Sequence, residues 1–397
     1  MPARPPAKFP VERGYDHAPE YHPVWDAVAP TFEQPFVGIT TTGEAIPGLF
    51  AITGGEADEA LVAAGRAYFD SLTPEQREGG WVQPADSPVW RQWTNAFPRW
   101  KPAGVLLDDL GEEQRQAALD LMEHSLSPAG FATVRNIMRL DQTLGELIGY
   151  MQDTLNEWVY WFTLFGEPSA DRPWGWQIMG HHLDLHCFVL GGQTVLTPMF
   201  LGAEFCVVDE GPNKGIRVFD REREDALALI DALTPEQRAE AILYESILTE
   251  DLPEELDHPS NGRMKAGAGA DNAVIPYEGV CVSSFGAGQR ELLMALMRTH
   301  TAALPEAQRE ARLAELREHL DQTWFAWMGG TGPDDAFFYK LHSPVFLVEY
   351  DCHKGVFLEA DEPLPFHTHV VVRTPNGNDY GKALLARHAA AGGSAVR

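Results

Sequence analysis

The sequence predicts an α+β protein made of two diverged, internally duplicated halves. Each half is a set of helices followed by an antiparallel sheet, and the His-bearing strands are expected to meet at a central site. Three observations predict this. Helix-start signals precede alternating, strand-like segments twice along the 397 residues, an order that favours antiparallel pairing. Motifs also recur in the same order in both parts of the chain. Leu72-Thr73-Pro74-Glu75-Gln76-Arg77 returns as Leu233-Thr234-Pro235-Glu236-Gln237-Arg238. Gly104-Val105, Gly111, Gln114-Arg115 and Leu121-Met122 return as Gly279-Val280, Gly286, Gln289-Arg290 and Leu296-Met297. Trp161-Phe162 with Gly166 returns as Trp324-Phe325 with Gly329. The three matches are offset by 161, 175 and 163 residues, so they are collinear. Finally, five of the fourteen histidines fall in two short stretches, 180–186 and 366–373.

Residues 1–50 read as an N-terminal extension, 51–207 as the first half, 208–222 as a linker, 223–383 as the second half and 384–397 as a tail. In each half the Leu-Thr-Pro-Glu-Gln-Arg motif starts a helix, with Thr as N-cap, Pro in the first turn and Gln three residues after the cap. The Trp-Phe pairs open strands. A His-bearing strand follows Gly180 in the first half, and Gly191-Gly192 marks the hairpin that returns it. Residues 251–276, rich in Gly, Pro, Asp and Asn, read as a long exposed loop. Val345 to Cys352 reads as a strand. A looped segment with Pro363 and Pro365 then leads to the strand from His367 to Arg373. The Ala/Gly-rich tail from Leu384 onward is expected to fray.

Composition excludes several function classes. The 58 acidic and 30 basic residues give a formal net charge of −28, which repels nucleic acid and anionic membrane surfaces. There is no run of eighteen apolar residues and no apolar signal-peptide core near the start. A cytoplasmic protein without membrane association is therefore expected. Cys187, Cys206, Cys281 and Cys352 form no CxxC, which argues against a disulfide framework or a thiolate zinc site. The glycine-rich pieces match no phosphate loop or dinucleotide fingerprint, so no nucleotide cofactor is expected. The expected partner is a small-molecule substrate, and a homo-oligomer is compatible with the sequence.

The histidine stretches carry the chemistry. A strand sends every second side chain to one face, so His182, Asp184 and His186 share a face, as do His367, His369 and Arg373. His182, His367 and His369 are the candidate ligands of a divalent transition metal, Zn, Fe, Mn or Cu. The competing reading makes them hydrogen-bonded structural histidines. His181 falls with the apolar set and reads as a core histidine or a residue behind the ligands. Asp184 and His186 read as supporting residues, His186 also as a ligand. Glu349, flanked by apolar residues, is a buried carboxylate that needs a metal, an Arg or a proton; it is read as a ligand or general base, or as an ion-pair partner of Arg373. Arg373 would clamp a substrate carboxylate or form an ion pair with Asp379 or Glu349.

The motifs Phe165-Gly166-Glu167-Pro168-Ser169, Pro173-Trp174-Gly175-Trp176 and Gly180-His181-His182-Leu183 form a series. Tyr339, Ser343-Pro344, Glu349-Tyr350-Asp351, His367-Thr368-His369, Arg373 and Asn378-Asp379-Tyr380-Gly381 continue it. With these, the chain resembles the bacterial and fungal "domain of unknown function 3500" proteins over most of its length beyond about residue 50. The resemblance implies one fold unit and importance of the His motifs, and no activity. The family pattern does not require Asp184 or His186, which ranks both behind His182, His367 and His369.

Three functions compete. The first is a mononuclear metal hydrolase or lyase acting on a small anionic molecule, with Glu349 as ligand or base and Arg373 orienting the substrate. The second is a non-haem iron or copper oxygenase; His182-Leu183-Asp184 superficially matches an HxD pair, but the spacing to the distal His and to Arg373 departs from the usual pattern, while a three-His iron site that needs no cosubstrate stays open. The third is a non-catalytic metal- or ligand-binding protein.

Overall fold

The computed structural model describes residues 28–393, apart from 54, 95–101, 150, 151, 153, 257, 259, 260 and 359. The first part of the expected N-terminal extension and the last four residues of the tail lie outside these. The described helices, in chain order, are α1 (Glu59–Ser71), α2 (Pro74–Gln76), α3 (Glu112–Ser125), α4 (Pro128–Ile148), α5 (Asp220–Asp231), α6 (Pro235–Ala241), α7 (Ala287–His300), α8 (Glu306–Glu318) and α9 (Lys382–Ala390). The strands of the first part are β1 (Val82–Gln83), β2 (Val105–Leu106), β3 (Trp161–Phe165), β4 (Trp174–Met179), β5 (Leu183–Leu190), β6 (Gln193–Val195) and β7 (Met199–Ala203). Those of the second are β8 (Ile242–Tyr244), β9 (Val280–Cys281), β10 (Trp324–Gly329), β11 (Phe337–His342), β12 (Leu347–Gly355) and β13 (Ala360–Arg373).

The protein mixes α and β around one large mixed sheet. Its strand order is β1-β3-β4-β5-β7-β13-β12-β11-β10-β8, with β2 on β3, β6 on β5 and β9 on β10. Neighbours along the path pair antiparallel except at the two ends, where β1 lies parallel to β3 and β8 parallel to β10. β7 and β13 pair at the middle.

The two ends are built alike. Thr73 and Thr234 each close a capping box with the Gln three residues on. Those glutamines are held in turn by Gln114 and Gln289, at 2.9 and 2.6 Å. Gly104 and Gly279, with φ of 81° and 86°, press against the carbonyls of Phe162 and Phe325, where any Cβ would collide.

The helices bury one face of the sheet. Trp176 Nε1 donates to Ser125 Oγ of α3 at 2.8 Å, and Tyr339 OH lies 2.7 Å from His300 Nε2 of α7. Trp90, Trp174, Trp176 and Trp327 are fully buried, each worth on the order of 2–3 kcal/mol of apolar burial.

The opposite face carries His182, Asp184 and His186, together with Glu349, Asp351, His367, His369 and Arg373. The segment from Asn261 to Tyr277 packs on it. This corrects the expectation of an exposed loop: Arg263, Met264, Ala266, Ala268 and Asp271 are buried. Small residues at 266–270 let the backbone lie close, and the buried charges are paired. Arg263 grips Asp351 at 2.5 and 3.0 Å.

Two other expectations change. β13 begins at Ala360 and runs through Pro363 and Pro365, which were read as loop. The strand tolerates them because β7 pairs only with Thr368–Val372, while the Pro-bearing part meets β12 irregularly. The tail forms α9 as far as Ala390. The Gly191-Gly192 hairpin joins β5 to β6 as read. Among the described residues no helix is long and apolar enough to cross a membrane.

Candidate metal centre

The His-bearing strands do not touch, because β7 lies between β5 and β13. Gly202 on β7 bridges the gap. It pairs with His369 across β13, and its N–H donates to the His182 carbonyl at 2.8 Å. A Cβ at this position would come within 2.8 Å of His369 Cδ2 and 3.0 Å of His182 Cδ2. The two imidazoles close over a strand that lacks a side chain there.

His182, His367 and His369 are all buried, and each offers a ligand atom within 4.8 Å of the others. Ring centroids are 4.9 Å apart for His367–His369, 5.6 Å for His182–His369 and 6.1 Å for His182–His367. The far nitrogens are anchored. His182 Nδ1 lies 2.6 Å from Asp141 Oδ1, and His367 Nδ1 lies 2.5 Å from the Lys354 carbonyl. Each anchor needs a hydrogen on Nδ1, so a neutral ring held this way keeps its lone pair on Nε2. His367 Nε2 and His369 Nε2 face each other at 3.2 Å. His369 Nδ1 is buried without a partner.

Burial, and then the neighbouring histidines, hold His367 and His369 well below the usual imidazole range. Their rings are neutral, the form that ligates metal.

Asp141 is the residue that sequence reasoning missed. Burial pushes its carboxyl up, but His182, His181 and the Tyr160 hydroxyl together outweigh this and hold it low. Its other oxygen accepts from the Tyr160 hydroxyl. Tyr160 occupies the space over Gly180, where a Cβ would lie 2.1 Å from the ring. A signal existed: Asp141 sits on the buried stripe of α4 with Val134, Ile137, Met138, Leu144 and Ile148, where a carboxylate needs a reason. Asp141, His181 and His182 form a second close group. His181 is half-buried, not the core residue expected, with its ring 4.0 Å from that of His182.

The remaining candidates lie further along the same face. Glu349 is outside the His group. Its Oε2 accepts from the Ala266 N–H at 2.8 Å, its Oε1 has no partner, and burial raises its carboxyl to about 7. Asp351, opposite His369 on β12, is held by Arg263 and by His353 Nε2 at 2.9 Å. Both carboxylate oxygens of Asp184 are buried and unpartnered, and burial keeps that group well above the usual carboxylate range. His186 Nδ1 bonds the Pro198 carbonyl at 2.8 Å. Of the readings left open for Arg373, the ion pair with Asp379 is present at 2.7 Å, and a second pair with Asp271 at 2.6 Å. With its remaining nitrogen 3.4 Å from the Ala266 carbonyl, its fork is committed within the protein, which disfavours a substrate clamp. Asp271, also unanticipated, takes Arg91 at 2.8 Å and the Tyr380 hydroxyl at 2.9 Å as well.

The chain belongs to the family described as protein of unknown function DUF3500, whose model matches residues 54–382. No curated protein and no solved structure matches it.

Proposed function

We propose that this chain is a metal-dependent enzyme, a hydrolase or lyase acting on a small anionic organic molecule through one divalent transition metal bound by His182, His367 and His369. The observation that carries this reading is the anchoring of Nδ1 on two of the rings, which turns their Nε2 lone pairs toward the third imidazole. A hydrogen on His369 Nε2 can satisfy only one facing lone pair, whereas a cation between the rings would take one from each of the three. Three neutral ligands leave the full charge of the ion available. Such a centre lowers the pKa of bound water toward neutrality and polarises a carbonyl. With Arg373 committed to Asp271 and Asp379, the metal itself is the positive centre for an anionic substrate.

The HxD form of the oxygenase reading draws less support, since Asp184 lies outside the His group; a three-His iron or copper centre would use the same ligands. The matching strand paths and paired capping boxes at the two ends of the sheet support descent of both halves from one duplicated unit. Elemental analysis of protein purified without an affinity tag tests the metal. Zinc-, manganese- and iron-loaded protein should then be assayed on small anionic esters and amides. Turnover should be lost in His367→Ala. Metal-free protein, with no gain in thermal stability on adding any of these ions, would overturn the reading.

A further inference from the structure

We infer that Glu204 is the base of this centre, the carboxylate that takes a proton from water held at the His182–His367–His369 site. The inference rests on the metal-centre reading and goes beyond it. β7 pairs Ala203 with Thr368 and Gly202 with His369. Continuing that register puts Glu204, one residue past the strand end, opposite His367 and on the face of Gly202.

The side chain is buried, and its two oxygens have different fates. Oε1 accepts from the backbone N–H groups of Val356, Phe357 and Leu358 at 2.6, 2.6 and 2.7 Å. Oε2 is buried with no partner at all. Three backbone donors on one oxygen fix the carboxylate plane, and these amides closely follow Lys354, whose carbonyl holds His367 Nδ1 at 2.5 Å. His182 is close enough to act on its charge, against the upward push of burial. Glu204 is not within the 4.8 Å group formed by the three histidines, so it is not assigned as a direct ligand. Glu349, the base expected from sequence, has the same half-bonded form but is held to the Ala266 amide, away from the amides that follow Lys354.

The step balances without a further reagent. An O–H bond of the water breaks, its proton goes to Glu204 Oε2, and the electron pair stays on oxygen. The hydroxide adds to the electrophilic carbon of the substrate, and Glu204 returns the proton to the departing group. The titratable and charged groups around the centre are Asp141, His181 and His182 beside β5, His353 and Lys354 on β12, and His367 and His369 on β13.

The test is a pH titration of the visible spectrum of the cobalt(II) protein, wild type against Glu204→Gln. Gln keeps an oxygen for the three amides, so melting temperature and cobalt stoichiometry should stay near wild type. The wild-type spectrum should change with pH as the bound water loses its proton, and Glu204→Gln should move that midpoint by about one pH unit or more. An unmoved midpoint, or a wild-type spectrum without pH dependence, would overturn the role of Glu204 while leaving the metal site standing. Failure of wild type to bind cobalt would overturn both.

Discussion

β5 and β13 each contribute to two buried polar clusters, four residues apart on one face of the sheet. At one end stand His182 and His369, at the other His186 and Arg373. Four strand residues span about 13 Å, yet the chemistry differs entirely. Around Arg373 the charges close on themselves: Arg91 and Arg373 face Asp271 and Asp379, and Tyr380 donates to Asp271. Around His369, bare nitrogens meet, and at most one of the facing atoms carries a hydrogen. The first cluster is complete as a piece of architecture. On the proposed reading, the second is complete only with a cation. Burial of polar side chains alone does not separate a structural cluster from a functional one; the balance of donors and acceptors does.

The largest effect expected from this contrast lies at the closed cluster. Arg373→Ala leaves the buried Asp379 without its cation, while Asp271 keeps Arg91, and should cost about 3–5 kcal/mol in urea unfolding, with metal uptake per folded molecule unchanged. A loss under about 1 kcal/mol would mean that the network re-pairs easily.

Between the clusters, Glu349 gives a pH test. Burial raises its carboxyl from 4.5 to about 7. A carboxyl raised in this way holds more protons folded than unfolded across that interval. Its contribution is therefore full at low pH and is lost as the pH climbs to about 7. Glu349→Gln is locked neutral, so its stability relative to wild type should grow from acid to neutral pH by up to roughly 3 kcal/mol. Parallel stability curves would mean that Lys340 keeps Glu349 ionised.

At the open cluster the effects fall on affinity. Asp141→Asn removes the anion behind His182 and should weaken zinc binding about 10–100-fold, read by competition with a chelator. An unchanged affinity would make the Asp141 contact purely structural. Gly202→Ala pushes a methyl between two rings and should weaken zinc binding by about tenfold while also lowering the metal-free melting temperature, since overpacking a buried site costs about 1–3 kcal/mol.

The sequence exposed this site unevenly. His367 and His369 were legible because strand alternation alone puts an HxH pair on one face, and His182 because it follows Gly180 into an alternating run. That Gly202 would separate their strands was not, since nothing local in Leu201-Gly202-Ala203 states which strand it will lie beside. Glu204 was equally hidden: its meaning depends on amides 356–358, more than 150 residues away. The segment at 261–277 misled because Gly, Ala and Asn mark both an exposed loop and a backbone pressed against a polar surface. Only the buried partners of Arg263 and Asp271 tell the two apart.

The most direct test of the central claim is metal stoichiometry at the open cluster. Wild-type protein should bind about one zinc per chain, and zinc at ~1,000 times its Kd should raise stability by about 4 kcal/mol. His367→Ala and His369→Ala should stay folded, bind almost none and show no such rise. A wild-type protein that takes up no divalent metal, or His variants that bind as much as wild type, would contradict the account.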